Sequence, residues 1–140
     1  MSENEKSLVQ RFWNGVWNEG KIELVDELVA SDFVAHDLPP EMAHGPEGYK
    51  EYVRANRAAF PDGQDVIQDI IAEDDKVVVR YIGRATHRGD LMGFKATGKR
   101  VEVPGVEIFR VVSGRIKETW SLWDTFGFLE QIGAISLPES

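Results

Sequence analysis

The feature that most constrains this chain is a change of hydrophobic period at the turn Pro61-Asp62-Gly63. Before the turn, apolar residues recur three and four positions apart, as on the buried face of an amphipathic helix. This spacing predicts helices over 5–18, 22–29 and 46–60, with Gly20 able to take the left-handed conformation that ends the first. After the turn the apolar period becomes two, which is typical of strands.

The second half of the chain therefore predicts a sheet. The expected elements are strands at 65–72, 76–88, 100–112 and 115–124, with a short helix near 125–132. A bulge is predicted at Pro104-Gly105 in the third of these strands. A further short extended segment covers residues 31–37 and stops before two prolines.

Helices followed by a meander of antiparallel strands indicate an α+β fold. Long strands twist strongly, so we expect a curved antiparallel sheet wrapped around the N-terminal helices, forming a cone with an internal pocket. The chain of 140 residues has room for one core, and we expect a single domain over residues 1–140.

The amino-acid composition excludes several classes of function. The chain has 24 acidic residues against 16 Lys and Arg and a formal charge of −8, which argues against nucleic-acid binding. It has no cysteine, which excludes thiolate metal sites and cysteine nucleophiles. No apolar stretch approaches the roughly 20 residues of a membrane span, and the N-terminus lacks the pattern of a secretion signal. We therefore expect a cytoplasmic protein that binds no membrane and has small-molecule or protein partners.

The last predicted strand supplies the first acid/base candidate, Asp124. Alternation places it on one mostly apolar face with Glu118 and Trp120, and this face is expected to line the pocket. Burial there would raise the pKa of the Asp124 carboxyl, so that it could donate and accept protons near neutral pH. The alternative interpretation is that Asp124 caps the helix beginning near Thr125.

Two histidines are further candidates. His36 and Asp37 end the extended segment at 31–37, and because neighbours on an extended chain point in opposite directions, we expect His36 to face the pocket. His87 shares the interior face of its strand with Tyr81, although a buried histidine is often only a hydrogen-bonded core residue. The spacing of the three histidines predicts no metal site.

The aromatic residues fit a core, and some are expected to contact a ligand. Trp13 and Trp17 lie on the apolar stripe of the first helix, Tyr81 lies on the interior face of its strand, and Trp120 shares the face of Asp124. The expected ligand contacts are these four residues together with Asp37 and Glu118. An aromatic lining suits a flat hydrophobic ligand. No nucleotide-binding or serine-hydrolase motif occurs, and no cofactor is expected.

Taken together, segments over residues 8–133 resemble the SnoaL-like polyketide cyclases. The matching segments include Asp32-Phe33-Val34-Ala35-His36-Asp37, Gly45-Pro46-Glu47-Gly48, Thr86-His87-Arg88-Gly89, Ile108-Phe109-Arg110 and Trp120-Ser121-Leu122-Trp123-Asp124. The resemblance implies the cone fold and an aspartate near the end of the last strand as acid/base. Many members have an aspartate directly after the tryptophan, where this chain has Ser121.

The resemblance implies a cofactor-free enzyme that closes rings by aldol chemistry on a small hydrophobic carbonyl compound. Asp124 would protonate the accepting carbonyl oxygen, while His36 and His87 would position the substrate. The alternatives are isomerase, dehydratase or hydrolase chemistry in the same pocket, or a non-catalytic binding protein. A homodimer formed through the outer sheet face is expected in either case.

Overall fold

The computed structural model describes residues 2–136 and 138 and consists of helices packed into a curved five-stranded sheet. The helices are α1 (Ser2–Phe12), which continues as a π-helical segment (Trp13–Asn18), α2 (Glu23–Leu28), α3 (Pro40–Ala43), α4 (Gly45–Ala59) and α5 (Thr125–Gln131). The strands are β1 (Val29–Ala35), β2 (Gln64–Glu73), β3 (Lys76–Thr86), β4 (Arg100–Val112) and β5 (Arg115–Trp123). The predicted α+β fold class is confirmed.

The first predicted helix is present, but its hydrogen-bonding pattern changes at Trp13. From Trp13 to Asn18 the helix is of the π type, and Gly20, at φ 72°, follows its end as predicted. π-helical turns are rare and often occur at functional sites. Here the segment carries both Trp13 and Trp17.

The strands lie in the order β1-β5-β4-β3-β2. The pairs from β2 to β5 are antiparallel, as predicted, whereas β1, which contains most of the expected segment 31–37, pairs parallel with β5. Apolar residues of the helices and of the inner sheet face form the core, and they include Phe12, Trp13, Phe33, Phe109 and Ile116. α5 packs over the other end of the sheet, where Phe128 is fully buried.

The predicted bulge at Pro104-Gly105 is wrong. β3 and β4 pair without interruption from Lys76↔Arg110 to Thr86↔Arg100. The bulge lies in β5, where Glu118 pairs with Arg110 but Ile116 pairs with Val111, so that Lys117 is an extra residue. A one-residue shift moves all following side chains to the opposite face of the sheet.

Within the described part of the chain, no helix is both long enough and apolar enough to cross a membrane.

Candidate functional site

A cavity of about 190 Å³ lies between the inner sheet face and the helices. Aromatic side chains dominate its wall, among them Trp13, Trp17 and Tyr81, which the sequence predicted as ligand contacts. The wall also carries carboxyl groups, notably Asp65 and Glu107.

The sheet register places Asp65, Tyr81 and Glu107 on a diagonal across three adjacent strands. Asp65 of β2 pairs with Gly83 of β3, two residues from Tyr81. Tyr81 in turn pairs with Gly105 of β4, two residues from Glu107. Diagonal neighbours on one sheet face are within reach of long side chains, so the three groups form one polar row on the cavity wall.

Two glycines allow this row to pack closely. A Cβ atom at Gly83 would lie 2.8 Å from Oδ1 of Asp65, and one at Gly105 would lie 2.4 Å from the Tyr81 hydroxyl. The carboxylate of Asp65 therefore leans over β3, and the phenol of Tyr81 leans over β4, beside Glu107. Any larger residue at position 105 would displace the Tyr81 hydroxyl.

Asp65 is held at the boundary between the helices and the sheet. Its Oδ2 accepts a hydrogen bond from Nε1 of Trp13 at 3.0 Å, and its backbone N–H donates to Oδ1 of Asn18 at 2.7 Å. Burial raises the pKa of the Asp65 carboxyl to about 6, an effect that the Trp13 hydrogen bond partly offsets. The carboxyl is therefore mostly ionised at neutral pH.

Glu107 is more deeply buried, with 7% of the residue exposed. Burial raises the pKa of its carboxyl to about 8; hydrogen bonding to Ser121 lowers it, and the charges of Asp65 and Asp37 raise it. Among the described residues no Lys, Arg or His forms an ion pair with Glu107. The group is therefore protonated at neutral pH, while Asp65 is not.

Three tyrosines of the wall remain phenols. Burial is the first cause that raises the pKa values of Tyr49, Tyr52 and Tyr81, and the charge of Glu107 adds to it in each case. Each hydroxyl therefore keeps its proton. The Tyr49 hydroxyl accepts a hydrogen bond from Nε1 of Trp17 at 3.0 Å.

The bulge at Lys117 reverses the predicted faces of β5. Thr119, Ser121 and Trp123 line the cavity, whereas Leu122 is 78% exposed on the outer face. The expectation that Glu118 and Trp120 face the interior is wrong for this reason. The sequence predicts an extra residue in β4, whereas the structure has it in β5.

Asp124 lies beyond the end of β5 and is exposed. Its Oδ1 accepts a hydrogen bond from the backbone N–H of Gly127 at 2.8 Å, which caps α5. The alternative interpretation of Asp124 as a helix cap is confirmed. The expectation that it faces the pocket is wrong, because the strand ends at Trp123 and the chain turns into the helix.

His36, Glu118 and Trp120 form a cluster outside the cavity. The His36 ring stacks on Trp120 with centroids 4.8 Å apart, and its Nε2 lies 3.0 Å from Oε1 of Glu118. Hydrogen bonding from Arg110 is the largest of the effects that lower the pKa of Glu118, followed by that of His36. The prediction that His36 faces the pocket is wrong, and its neighbour Asp37 lines the cavity, with its carboxylate accepting from the Ser121 N–H.

His87 points into the interior, as predicted, and is completely buried. Its Nδ1 lies 3.0 Å from the Thr97 hydroxyl and accepts from the Thr97 N–H at 3.3 Å. The rings of Phe60 and Phe128, which line the cavity, are 5.9 and 5.6 Å from the imidazole. His87 thus lies next to the cavity wall and is not part of it.

Asp65 and Glu107 were not predicted as site residues, although the sequence carried a signal for each. Glu107 is separated by even numbers of residues from the buried Val101 and Phe109, so alternation along β4 places it on the inner face. Asp65 pairs with Gly83, and an isolated glycine within a strand often marks a close approach of another group.

Among residues 2–136 and 138, no three His, Cys, Asp or Glu side chains lie together in an arrangement that could hold a metal ion.

The family model of SnoaL-like polyketide cyclases matches residues 7–132. The chain belongs to this family. Relatives in the SnoaL-like family include aklanonic acid methyl ester cyclase DauD of Streptomyces sp. (strain C5), 29% identical over 124 residues, which are 84% of this chain and 74% of the relative. Nogalonic acid methyl ester cyclase of Streptomyces nogalater is also 29% identical, over 84% of this chain and 89% of its own.

Solved SnoaL-like structures agree with the fold. The crystal structure of a putative polyketide cyclase from Acidithiobacillus ferrooxidans is 32% identical, with a TM-score of 0.82 over 95% of this chain and 96% of that one. TsrD of Streptomyces laurentii is 25% identical, with a TM-score of 0.87 over 95% and 97% of the two chains. The cone fold of the SnoaL-like family is therefore present in this chain.

The SnoaL-like pattern gives position 121 a special interest. Ser121 lines the cavity directly across from Glu107 in the β4–β5 register, at the position where the family resemblance implies an aspartate. The cavity wall therefore has a carboxyl group next to position 121, that of Glu107 on the neighbouring strand β4.

Proposed function

We propose that this protein closes a ring in a small hydrophobic carbonyl compound by acid/base, aldol-type chemistry in the cavity, with Asp65 as base and Glu107 as acid. One observation carries the proposal. Two carboxyl groups on one wall have unequal acidity, so that at neutral pH one is ionised and the other protonated. Such pairs divide the roles of base and acid between them.

The reaction follows from these states. Asp65 takes a proton from the carbon next to one carbonyl group, and the resulting enolate carbon forms a bond to a second carbonyl carbon of the same molecule. The oxygen of that carbonyl takes the proton of Glu107 and becomes a hydroxyl. The proton on Asp65 then returns to Glu107 through solvent, so that the product has the mass of the substrate.

The remaining wall supports folding of the substrate. Trp13 and Tyr81 lie with ring centroids 4.7 Å apart, and Trp17 packs against Tyr49 and Tyr52. Flat apolar surfaces of this kind hold a conjugated chain in a compact conformation, and bringing its two ends together accounts for much of the rate of an intramolecular reaction.

The test uses the substrates named for the relatives. Purified protein is incubated with aklanonic acid methyl ester or nogalonic acid methyl ester, and chromatography with mass detection follows a product of unchanged mass. We expect turnover that Asp65→Asn and Glu107→Gln abolish and that Glu102→Gln, an exposed position of β4, retains. Equal turnover by wild type and Glu107→Gln would exclude the proposed acid.

We further propose that two copies pair through the outer face of the sheet. Exposed apolar residues lie there, including Leu122 (78% exposed), Val106 (40%) and Val66 (44%). The charges of this face pair with one another, as in Arg80–Asp69 and Arg84–Glu102. A neutral apolar face on a chain of charge −8 is where two like-charged copies can approach.

Light scattering after size exclusion tests this pairing. We expect a dimer for the wild type and a monomer for Leu122→Glu, with Glu73→Gln, an exposed change in β2 outside the apolar residues, as the control. A monomeric wild type would contradict the proposal.

A further inference from the structure

Two arginines line the cavity, and only one of them has an anionic partner. Nε of Arg84 donates to Oε2 of Glu102 at 2.9 Å. Arg57 donates through Nη1 to the carbonyl oxygen of Trp17 at 2.7 Å and, within residues 2–136 and 138, forms no ion pair. Arg57 therefore brings to the cavity a positive charge that no carboxylate of the described chain neutralises.

We infer that the compounds bound in this cavity are keto acids, whose free carboxylate group pairs with Arg57. The inference rests on the proposed function, because it names the substrate class of the same cavity. The carbonyl groups of such a compound react, and its carboxylate group holds it in place. Arg57 thus determines which carbonyl compounds the protein accepts.

The position of Arg57 on α4 directs its side chain inward. Arg57 follows Val53 by four residues, so the two lie on the same side of the helix, and Val53 is fully buried. Arg54, the next residue after Val53, is exposed. Arg57 itself is half-buried, so water solvates its charge, and a carboxylate can replace that water without leaving the charge unpaired.

Two contacts fix the guanidinium group of Arg57. The carbonyl group of Trp17 accepts its hydrogen bond, and a Cβ atom at Gly20 would lie 2.9 Å from its Nε, so the glycine leaves room for it. The bond to Trp17 uses one N–H group, and the other N–H groups have no acceptor in the described structure. A planar guanidinium held in this way can bind a carboxylate through two parallel hydrogen bonds.

The charge of Arg57 is separate from the acid/base pair. Burial and the Trp13 hydrogen bond account for the pKa of Asp65, without an effect of Arg57. The pKa of Glu107 likewise reflects burial, a hydrogen bond and neighbouring carboxylates only. A carboxylate on Arg57 therefore leaves both groups free for the carbonyl end of the same molecule.

Aromatic rings near Arg57 suit the apolar part of such a molecule. Phe60 follows Arg57 by three residues, and its ring centroid lies 5.7 Å from that of Phe128, which in turn lies 5.8 Å from that of Trp123. All three rings line the cavity, and among the described rings none of them contacts Trp13. The cavity volume of about 190 Å³ is below the roughly 300–1,000 Å³ of pockets for drug-sized ligands, so the compounds that fit are small.

Isothermal titration calorimetry tests the inference with 2-naphthylacetate as the probe, and with its methyl ester and primary amide as uncharged counterparts. We expect the wild type to bind the carboxylate about 10- to 100-fold more tightly than either counterpart, because hydrogen bonds to charged groups are stronger than neutral ones. Equal affinity for the three compounds, or tighter binding of the ester, would overturn the inference even if no variant folded.

Arg57→Gln removes the charge and keeps a hydrogen-bond donor. Its affinity for 2-naphthylacetate should fall about 10- to 100-fold, while its affinity for the methyl ester should change less than about threefold. Arg57→Lys keeps the charge but loses the planar fork, so it should retain part of the preference. Arg54→Gln, an exposed change in the same helix, is the matched control and should bind all three compounds as the wild type does. Weaker binding of all three by the same factor in Arg57→Gln would indicate a structural role and overturn the inference.

Ring closure distinguishes this inference from the proposed function. 5,9-Dioxodecanoic acid and its methyl ester can each close a ring by the proposed aldol step, and mass detection follows both. We expect the wild type to have a lower KM for the acid than for the ester, and Arg57→Gln should raise the KM of the acid with little change in kcat. Ring closure of both compounds with equal KM would contradict the inference and leave the proposed function intact. Arg57-dependent binding of 2-naphthylacetate without ring closure of any compound would support the carboxylate site and contradict the proposed function.

Discussion

Glu107 and Glu118 are the same amino acid on neighbouring strands, yet the two faces of the sheet give their carboxyl groups opposite acidity. Burial on the inner face raises the pKa of Glu107 to about 8, with no cation beside it in the described structure. On the outer face, Arg110 and His36 lower the pKa of Glu118. At neutral pH the first is a proton donor and the second is an anion in an ion pair.

The difference teaches that the sheet face, and not the residue type, determines what a carboxyl group can do in this fold. The face of each β5 residue depends on the single extra residue at Lys117. Without that bulge, Glu118 would point to the cavity and Ser121 away from it. The comparison can therefore be tested by moving carboxyl groups between faces.

The largest effect is expected from removing and restoring the inner carboxyl. Glu107→Gln should lower ring-closing kcat by about 10²- to 10⁴-fold, the usual contribution of general acid/base catalysis. Adding Ser121→Asp should restore at least about tenfold, because Ser121 pairs with Glu107 and lines the cavity.

Leu122→Asp provides the matched control for this rescue, since it adds the same group one residue further along, on the outer face. Combined with Glu107→Gln it should restore nothing. If Ser121→Asp and Leu122→Asp restored the rate of Glu107→Gln equally, the face of the sheet would not determine the function of a carboxyl group, and the comparison would be contradicted.

The pH dependence of kcat/KM should show the titration of both cavity carboxyl groups, Asp65 and Glu107. The proposed reaction requires ionised Asp65, so kcat/KM should rise with pH through about 6, and it requires protonated Glu107, so kcat/KM should fall through about 8. Each limb should have a slope of about tenfold per pH unit. Steady-state rates from pH 4.5 to 9.5 check this, and a flat profile above pH 8 would remove Glu107 as the acid.

Glu107 should lower the free energy of unfolding only at high pH. The folded state raises the pKa of Glu107 from 4.5 to about 8, so the unfolded chain releases this proton first, and wild-type stability falls as pH rises between these values. Glu107→Gln removes the effect and should be more stable than wild type at pH 9 by about 5 kcal/mol, with little difference at pH 4. Urea unfolding at the two pH values measures this, and an equal difference at both would indicate a packing effect.

The smallest effect is expected at Asp124. Asp124→Ala removes the cap of α5 and should lower the free energy of unfolding by about 1 kcal/mol, with ring-closing activity retained. Thermal melts and rates on the same preparations check both parts. A loss of more than about 100-fold in kcat in a folded Asp124→Ala variant would mean that Asp124 takes part in catalysis.

The sequence predicts most of the fold because its elements follow from local patterns. The change of period at Pro61-Asp62-Gly63 separates helices from strands, and β4 is predicted to the residue at 100–112. The parallel pairing of β1 with β5 could not be predicted in this way, since it joins residues more than 80 positions apart.

The site is predicted less well, and for a physical reason. Trp13 and Trp17 follow from helical periodicity, and Tyr81 follows from the alternation of β3, which pairs with β4 without a bulge. Beyond Lys117 a single extra residue reverses the faces, and the sequence does not mark its position. The acidity of Asp65 and Glu107 depends on burial by residues from several strands and helices, so only the folded molecule shows it.

The most direct measurement is the protonation of Glu107 itself. A ¹³C NMR titration of the side-chain carboxyl carbons, assigned by comparison with Glu107→Gln, follows this group without a substrate. We expect the Glu107 signal to titrate near pH 8, well above the ordinary 4.5 of a glutamate. A midpoint near 4.5 would mean that Glu107 is an anion at neutral pH, and it could not then be the acid of this site.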